Sequence, residues 1–226
     1  MKRYNGTTSS MQGKELAISR RHFVSASAVT PLALGAAGSL FARTASAADV
    51  MEVLEDDMVL GDRTAPLAIV EYASLTCGHC ANFHNNTLPK LEEDFIKTGK
   101  AYLVYRDFPL DRFAFQASVL AHTAGEKLFF PVLKLLFKEQ TSWTAASDIT
   151  EALTSIGRKV GISQAKFEEA LKDETLGERI LMDRMVGANE YDISGTPTLF
   201  INGEQYQGDW ANYEAFSSDL QDMISA

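Results

Sequence analysis

Cysteine is scarce, with two residues in a chain of 226. A scaffold stapled by several disulfides and a four-cysteine zinc site are both excluded. Proline is sparse too, at six residues, which rules out collagen-like and proline-rich chains. Long apolar runs are lacking, with one exception: His22 to Ala42 holds no Lys, Arg, Asp or Glu. One such run cannot build a polytopic membrane protein. Basic residues are outnumbered, 21 against 30 acidic, for a formal net charge of −9. That sign opposes nucleic acid and anionic lipid as bulk partners. What is present is 46% apolar and 23% charged residues, the balance of a soluble globular protein. Such a chain is long enough to bury its own core as one domain or two small ones.

The exceptional run reads as an export signal. Lys2, Arg3, Lys14, Arg20 and Arg21 precede it, and Ala45-Ser46-Ala47 closes it with small residues. A charged start, an apolar middle and an A-x-A exit are the parts a signal peptidase needs. Ser19-Arg20-Arg21-His22-Phe23 resembles the twin-arginine export signal, and the apolar middle is mild, rich in Ala, Ser, Gly and Thr. An uncleaved membrane anchor is the alternative. Cleavage after residue 47 leaves 15 basic and 29 acidic residues, a net charge of −14.

Both cysteines lie in one motif, Cys77-Gly78-His79-Cys80. His79, His84 and His122 are the histidines left for a metal, but no zinc-finger spacing joins them to the cysteines. A disulfide across two residues restricts the unfolded chain little, so a purely structural bridge is a poor reading. The flanks favour redox chemistry. Pro66 to Ala73 is a short apolar run with β-branched residues, the pattern of a buried strand. Ser74-Leu75-Thr76 is a turn, and from Gly78 to Lys97 the residues Phe83, Leu88, Leu91, Phe95 and Ile96 fall on one helical side. Pro89 predicts a kink there. Cys77 thus stands at a helix N-terminus, where free N–H groups and the helix dipole favour a thiolate. His79 is expected to tune Cys77, by charge or by hydrogen bonding. His84 and His122 are read as structural or surface residues.

Ala101 to Tyr105 follows as a second strand, completing a strand–helix–strand unit with a parallel pair. From about Leu110 to Gly187 the periodicity is nearly all helical. Phe113, Phe115, Phe129, Phe130 and Phe137 are expected core residues. Gly195 to Ile201 returns to a strand, Asn202-Gly203 signals a tight hairpin, and Tyr206-Gln207-Gly208 is expected to pair back. Asn212 to Ser225 closes the chain as an amphipathic helix.

The assembled order resembles the DsbA-type thiol:disulfide oxidoreductases over roughly residues 56–226. The resemblance rests on Glu71-Tyr72-Ala73-Ser74-Leu75-Thr76-Cys77-Gly78-His79-Cys80 and on Gly195-Thr196-Pro197-Thr198-Leu199-Phe200-Ile201-Asn202-Gly203, flanking a helical block. It implies an α/β class: a thioredoxin fold with a large inserted α-helical domain. The expected boundaries are 1–47 for the signal, 48–108 for the first part of the thioredoxin domain, 109–187 for the insertion and 188–226 for the second part. Two positions depart from the family's strongest oxidases. Gly78 stands where Pro is found, and Thr196 stands where Val is common.

The resemblance also implies roles. Cys77 is the nucleophile that forms the mixed disulfide, and Cys80 is the buried resolving thiol. Glu71 is a buried carboxylate beneath the motif, expected to exchange a proton with Cys80. Pro197 is cis and packs beside the active-site disulfide. Thr196 and Gly195 lie where an extended client peptide adds as a strand, and the Thr196 hydroxyl is expected to donate to the Cys77 thiolate. The implied partners are unfolded or partly folded cysteine-containing proteins and a membrane quinone-linked disulfide oxidase, in the periplasm. No cofactor, metal or nucleic acid is expected. A reductase or isomerase of the same fold, and a peptide-binding chaperone with a structural disulfide, are the alternatives.

Overall fold

The computed structural model describes residues 53–225, so the expected signal at 1–47 lies outside the described residues. The sheet has five strands: β1 (Met58–Leu60), β2 (Leu67–Ala73), β3 (Ala101–Asp107), β4 (Thr198–Ile201) and β5 (Glu204–Gln205). Their order is β1-β3-β2-β4-β5. Only β2 and β3 run parallel, and the other neighbours are antiparallel. Two outcomes differ from the sequence reading. A strand, β1, precedes the one at Pro66, and the hairpin returns at Glu204–Gln205 instead of Tyr206–Gly208. Asn202 (φ 48°) and Gly203 (φ 91°) form the two-residue turn, so pairing resumes immediately after it.

β2 is covered on both faces, which is why its sequence is a run instead of an alternation. Leu67 and Ile69 pack with Leu103, Phe83 and Phe216, while Val70 and Tyr72 pack on the opposite face with Val104, Phe108 and Phe200. Glu71 belongs by parity to the first face. Its register partner on β3 is Tyr105, and its partner on β4 is Leu199.

The cysteine-bearing helical run begins with α1 (Gly78–Asn82), passes through a π-helical segment at Phe83–Thr87, continues as α2 (Leu88–Leu91) and ends in a second π-helical segment at Glu92–Ile96. The expected distortion at Pro89 takes this form. Pro89 lies in the first turn of α2, where a missing N–H costs least, and Leu88 N–H reaches back to the Phe83 carbonyl. Phe83, Leu88, Leu91, Phe95 and Ile96 are all buried.

Between β3 and β4 come six helices: α3 (Arg112–Thr123), α4 (Glu126–Lys138), α5 (Gln140–Thr144), α6 (Ile149–Lys159), α7 (Gln164–Ala170) and α8 (Glu174–Glu190). Asp111, Asp148, Ser163 and Asp173 cap α3, α6, α7 and α8 through their side chains. α3 packs against α4, α6, α7 and α8. Of the five expected core phenylalanines, Phe129 and Phe137 are buried, while Phe113, Phe115 and Phe130 are partly buried. α8 approaches the sheet closely at Gly187, where a Cβ would lie 3.0 Å from the Tyr72 ring. α9 (Tyr213–Ser225) returns to the sheet through Phe216 and Leu220. No helix among the described residues is long and apolar enough to cross a membrane.

Candidate active site

Cys77 is the N-cap of α1. Its backbone is extended (φ −80°, ψ 121°), and its sulfur accepts from the Cys80 N–H at 3.4 Å. Both cysteines are free thiols, Cys77 half-buried and Cys80 fully buried. The two differ sharply in acidity. A hydrogen bond from the Cys80 thiol is the largest influence on Cys77. With help from Thr196 and the N–H groups of Cys80 and His79, it outweighs burial and brings the Cys77 thiol down to about 5. Cys80 goes the other way. Burial pushes its thiol well above the ordinary value, and the hydrogen bond to Cys77 and the charge of Glu71 add to the rise.

Thr196 joins the site from the loop before β4, and the Thr196–Pro197 peptide is cis. Its side chain helps to lower the Cys77 thiol, in the expected direction, although the Thr196 hydroxyl makes no close hydrogen bond among the described residues; the Cys77 thiol also donates to the Thr196 carbonyl oxygen at 3.2 Å. The carbonyl is set by the backbone of the loop, so it reaches the sulfur whichever side chain residue 196 carries. Gly195 is exposed, and its carbonyl accepts from the Thr198 hydroxyl at 2.8 Å. At His79 the backbone is what reaches the nucleophile. Its ring is exposed and makes no hydrogen bond among the described residues, whereas its backbone N–H contributes to the lowered Cys77. A side chain in the first turn of a helix projects outward while its N–H faces the cap.

Beneath Cys80 lies Glu71, with none of its surface exposed. Its Oε2 lies 2.8 Å from His84 Nε2. Its Oε1 has no partner among the described residues, and neither does the Tyr105 hydroxyl. His84 is stacked on Phe137 at 4.1 Å between ring centroids, with Phe83 and Tyr105 edge-on. The sequence reading named no partner for His84. The structure buries it on the Glu71 carboxylate, four residues beyond Cys80 on the same helical run.

Gln140 was not legible in the sequence. It is buried, and its Nε2 donates to the carbonyls of Leu75 and Cys77, both at 2.9 Å. The inserted helices thereby hold the loop that carries the nucleophile. Asp111 has a local signal, the acid before the α3 periodicity, and it couples α3 to the same loop. It caps α3 through Oδ1 and accepts from the Thr76 hydroxyl through Oδ2 at 2.7 Å. His122 is paired elsewhere, on Asp107 at 2.7 Å. No group of three or more His, Cys, Asp or Glu among the described residues is placed to hold a metal ion.

This arrangement of an acidic capping cysteine, a buried partner thiol, a cis-proline loop and a buried carboxylate suits thiol–disulfide exchange. Comparison with known proteins agrees. Residues 53–222 match the family model described as thioredoxin. The crystal structure of Wolbachia pipientis α-DsbA1 is similar with a TM-score of 0.73 and 30% identity, over 80% of this chain and 96% of that one. A Rickettsia bellii protein named as a protein-disulfide oxidoreductase is 32% identical over 152 residues, 67% of this chain and 59% of its own length. The match thus spans less than two thirds of the curated relative. BdbD from Bacillus subtilis, at 20% identity and a TM-score of 0.67, shares the fold.

Proposed function

The chain belongs to the DsbA-like thiol:disulfide oxidoreductases of the thioredoxin superfamily, and on that premise we propose that it is an exported enzyme that donates the Cys77–Cys80 disulfide to folding client proteins. One observation carries the reading: Cys77 is lowered to about 5 while Cys80 is raised well above its ordinary value. A client thiolate attacks the disulfide at Cys77 Sγ. The Cys77–Cys80 bond breaks, and its electron pair leaves on Cys80, which takes up a proton. A second client thiolate then attacks the client sulfur of the mixed disulfide and expels Cys77 as a thiolate. An acidic Cys77 is a good leaving group, and its stable anion makes the disulfide oxidising.

The supply and removal of that proton fall to Glu71, the acid buried beneath Cys80 whose charge is felt there. The clients are unfolded or partly folded cysteine-containing proteins, reached by strand addition beside Thr196 and Pro197. A membrane quinone-linked disulfide oxidase restores the disulfide. The compartment is the periplasm, reached through residues 1–47. Residues 19–23 support a twin-arginine route. That route moves folded proteins, so Cys77 and Cys80 leave the cytoplasm reduced and need oxidation before the first turnover. Export that persists after Arg20-Arg21→Lys-Lys overturns the route.

A reductase or isomerase is the second reading, favoured by Gly78 between the cysteines and by Thr196 before the cis-proline. Equilibration of the purified chain with glutathione separates the two. A potential near about −120 mV fits a disulfide donor, and one near about −270 mV fits a reductase. An intermediate value that comes with reshuffling of a scrambled client fits an isomerase.

A further inference from the structure

The established chemistry of the motif leaves one buried group unexplained, His84. Its ring is gripped on three sides, by Phe137 stacked against it and by Phe83 and Tyr105 edge-on. It lies in a π-helical segment, an irregularity that recurs at functional positions. Nε2 sits 2.8 Å from Oε2 of Glu71, and both side chains are buried. A carboxylate in such a place is costly unless a donor stabilises it. Oε2 has His84 Nε2 beside it, and Oε1 has no partner among the described residues.

We propose that His84 is the positioning residue of the Cys80 proton transfer: its Nε2–H holds Glu71 Oε2, which leaves Oε1 as the oxygen that takes the Cys80 proton. This deepens the proposed exchange chemistry and rests on it. When the reduced enzyme meets a disulfide, the Cys77 thiolate attacks one of its sulfurs, that S–S bond breaks, and a thiolate leaves. Cys80 then attacks Cys77 Sγ. The Cys80–Cys77 bond forms, the mixed disulfide breaks with its electron pair on the departing sulfur, and the Cys80 proton moves to Oε1. Glu71 is then neutral, with Oε2 still held by His84. In the reverse direction Oε1 returns the proton to Cys80, and the carboxylate left behind keeps its one donor. The ring cannot swing between its aromatic neighbours, so Oε1 keeps one orientation through the cycle.

The titratable groups around the pair are few. Cys80 faces it from α1, and Tyr105 from β3. The Tyr105 phenol is pushed up by burial and then by the charges of Asp107, Glu71, Cys80 and Asp183, so it remains protonated. α4 contributes Phe137, which carries no charge.

The test is quenched flow on the purified full chain, mixing the reduced protein with oxidised glutathione between pH 5 and 9. Formation of the Cys77 mixed disulfide and its closure by Cys80 are timed separately. His84→Leu is expected to slow closure about tenfold, less than the roughly 100-fold of a group that transfers the proton itself. It is also expected to make closure rise with pH across the range, while leaving the first attack unchanged. His84→Gln, which keeps a donor for Oε2, is expected to restore most of the loss and the wild-type pH profile. Closure at the wild-type rate in His84→Leu, beside a slow Glu71→Gln, overturns the role of His84 and spares that of Glu71. Wild-type closure in Glu71→Gln overturns the exchange reading of Glu71 itself. Where His84→Leu does not fold, nitrogen NMR of the His84 ring in the wild-type chain decides. A neutral ring with the proton on Nε2 in both redox states is expected, and a proton on Nδ1 alone overturns the proposal.

Discussion

Two buried histidine–carboxylate pairs sit on neighbouring strands, one at Asp107 at the end of β3 and one at Glu71 on β2, and they are finished differently. His122 and Asp107 form the complete one. Asp107 Oδ2 meets His122 Nε2 at 2.7 Å, and its Oδ1 accepts from the Ser118 hydroxyl at 2.5 Å. Arg179 Nη1 lies 3.2 Å from His122 Nδ1. A guanidinium only donates, so Nδ1 accepts and the ring proton stands on Nε2, facing Asp107. Arg179 is itself anchored on Asp56. His84 and Glu71 form the incomplete pair: one carboxylate oxygen is held, and the other, like the Tyr105 hydroxyl, has no partner among the described residues. A satisfied network rigidifies, whereas an unsatisfied buried group in a native fold calls for an explanation such as a catalytic role. The complete pair ties the end of β3 to α3 and α8. The incomplete one lies beneath Cys80.

The largest way to break this contrast is Glu71→Gln. Closure of the disulfide by Cys80 is expected to slow about 100-fold, with attack by Cys77 nearly unchanged, because the proton acceptor is gone while the side-chain shape remains. Equal slowing of both steps removes Glu71 from the proton path. His122→Leu tests the other pair. It strips a donor from Asp107 and is expected to cost about 1–3 kcal/mol in urea unfolding. Exchange kinetics and their pH profile are expected to stay as in the wild type, and a changed closure rate would merge the two pairs into one functional unit.

A smaller effect sharpens the comparison through pH. Burial, reinforced by Asp107, raises the Asp183 carboxyl to about 7. The folded state therefore binds more protons than the unfolded one between about pH 4 and 7, and stability falls as pH rises through that window. Asp183→Asn keeps an acceptor for the Asp107 N–H and is expected to flatten that slope. The lowered Cys77 has the opposite sign in the reduced protein. Its contribution is full above the unfolded thiol value and is lost as pH falls through about 5. Melting curves of wild type and Asp183→Asn from pH 4 to 8 read both slopes. The smallest effect belongs to Thr196→Val. The Thr196 side chain is a lesser cause of the lowered Cys77 than the Cys80 thiol, so its loss is expected to raise the Cys77 thiol by no more than about one unit. A larger rise, read from thiolate absorbance, would move the dominant contact to the hydroxyl.

Much of the fold was legible because its signals are local. The run from Leu67 to Ala73, the turn into Cys77 and the Asn202-Gly203 hairpin each carry their cause within a few residues. The α3, α6, α7 and α8 starts are marked by capping acids and a serine. Other parts had no such signal. Three residues of β1 are too short to show a period, and their strand exists through pairing with β3. In the site, Cys77 and Cys80 were visible from spacing, and Glu71 through the family resemblance. The partner of Glu71 was not visible, because His84 meets it only once the helical run folds over β2. Gln140 is further still, 63 positions along the chain from the Cys77 carbonyl it holds. At His79 and Thr196 the sequence shows the side chains but hides backbone contacts that join them. The His79 N–H helps to lower the Cys77 thiol, and the Thr196 carbonyl accepts from it.

The account turns on the opposed acidities of two cysteines three residues apart. Thiolate absorbance of the reduced chain, titrated from pH 3 to 10 beside a Cys80→Ser variant, measures that opposition directly. One thiolate appearing at about 5, with no second one before pH 10, is the predicted result. The Cys80→Ser variant is expected to show a single thiolate that still titrates far below the free-cysteine value of about 8.5. A Cys77 that titrates near 8.5, or two thiolates that form together, would contradict it.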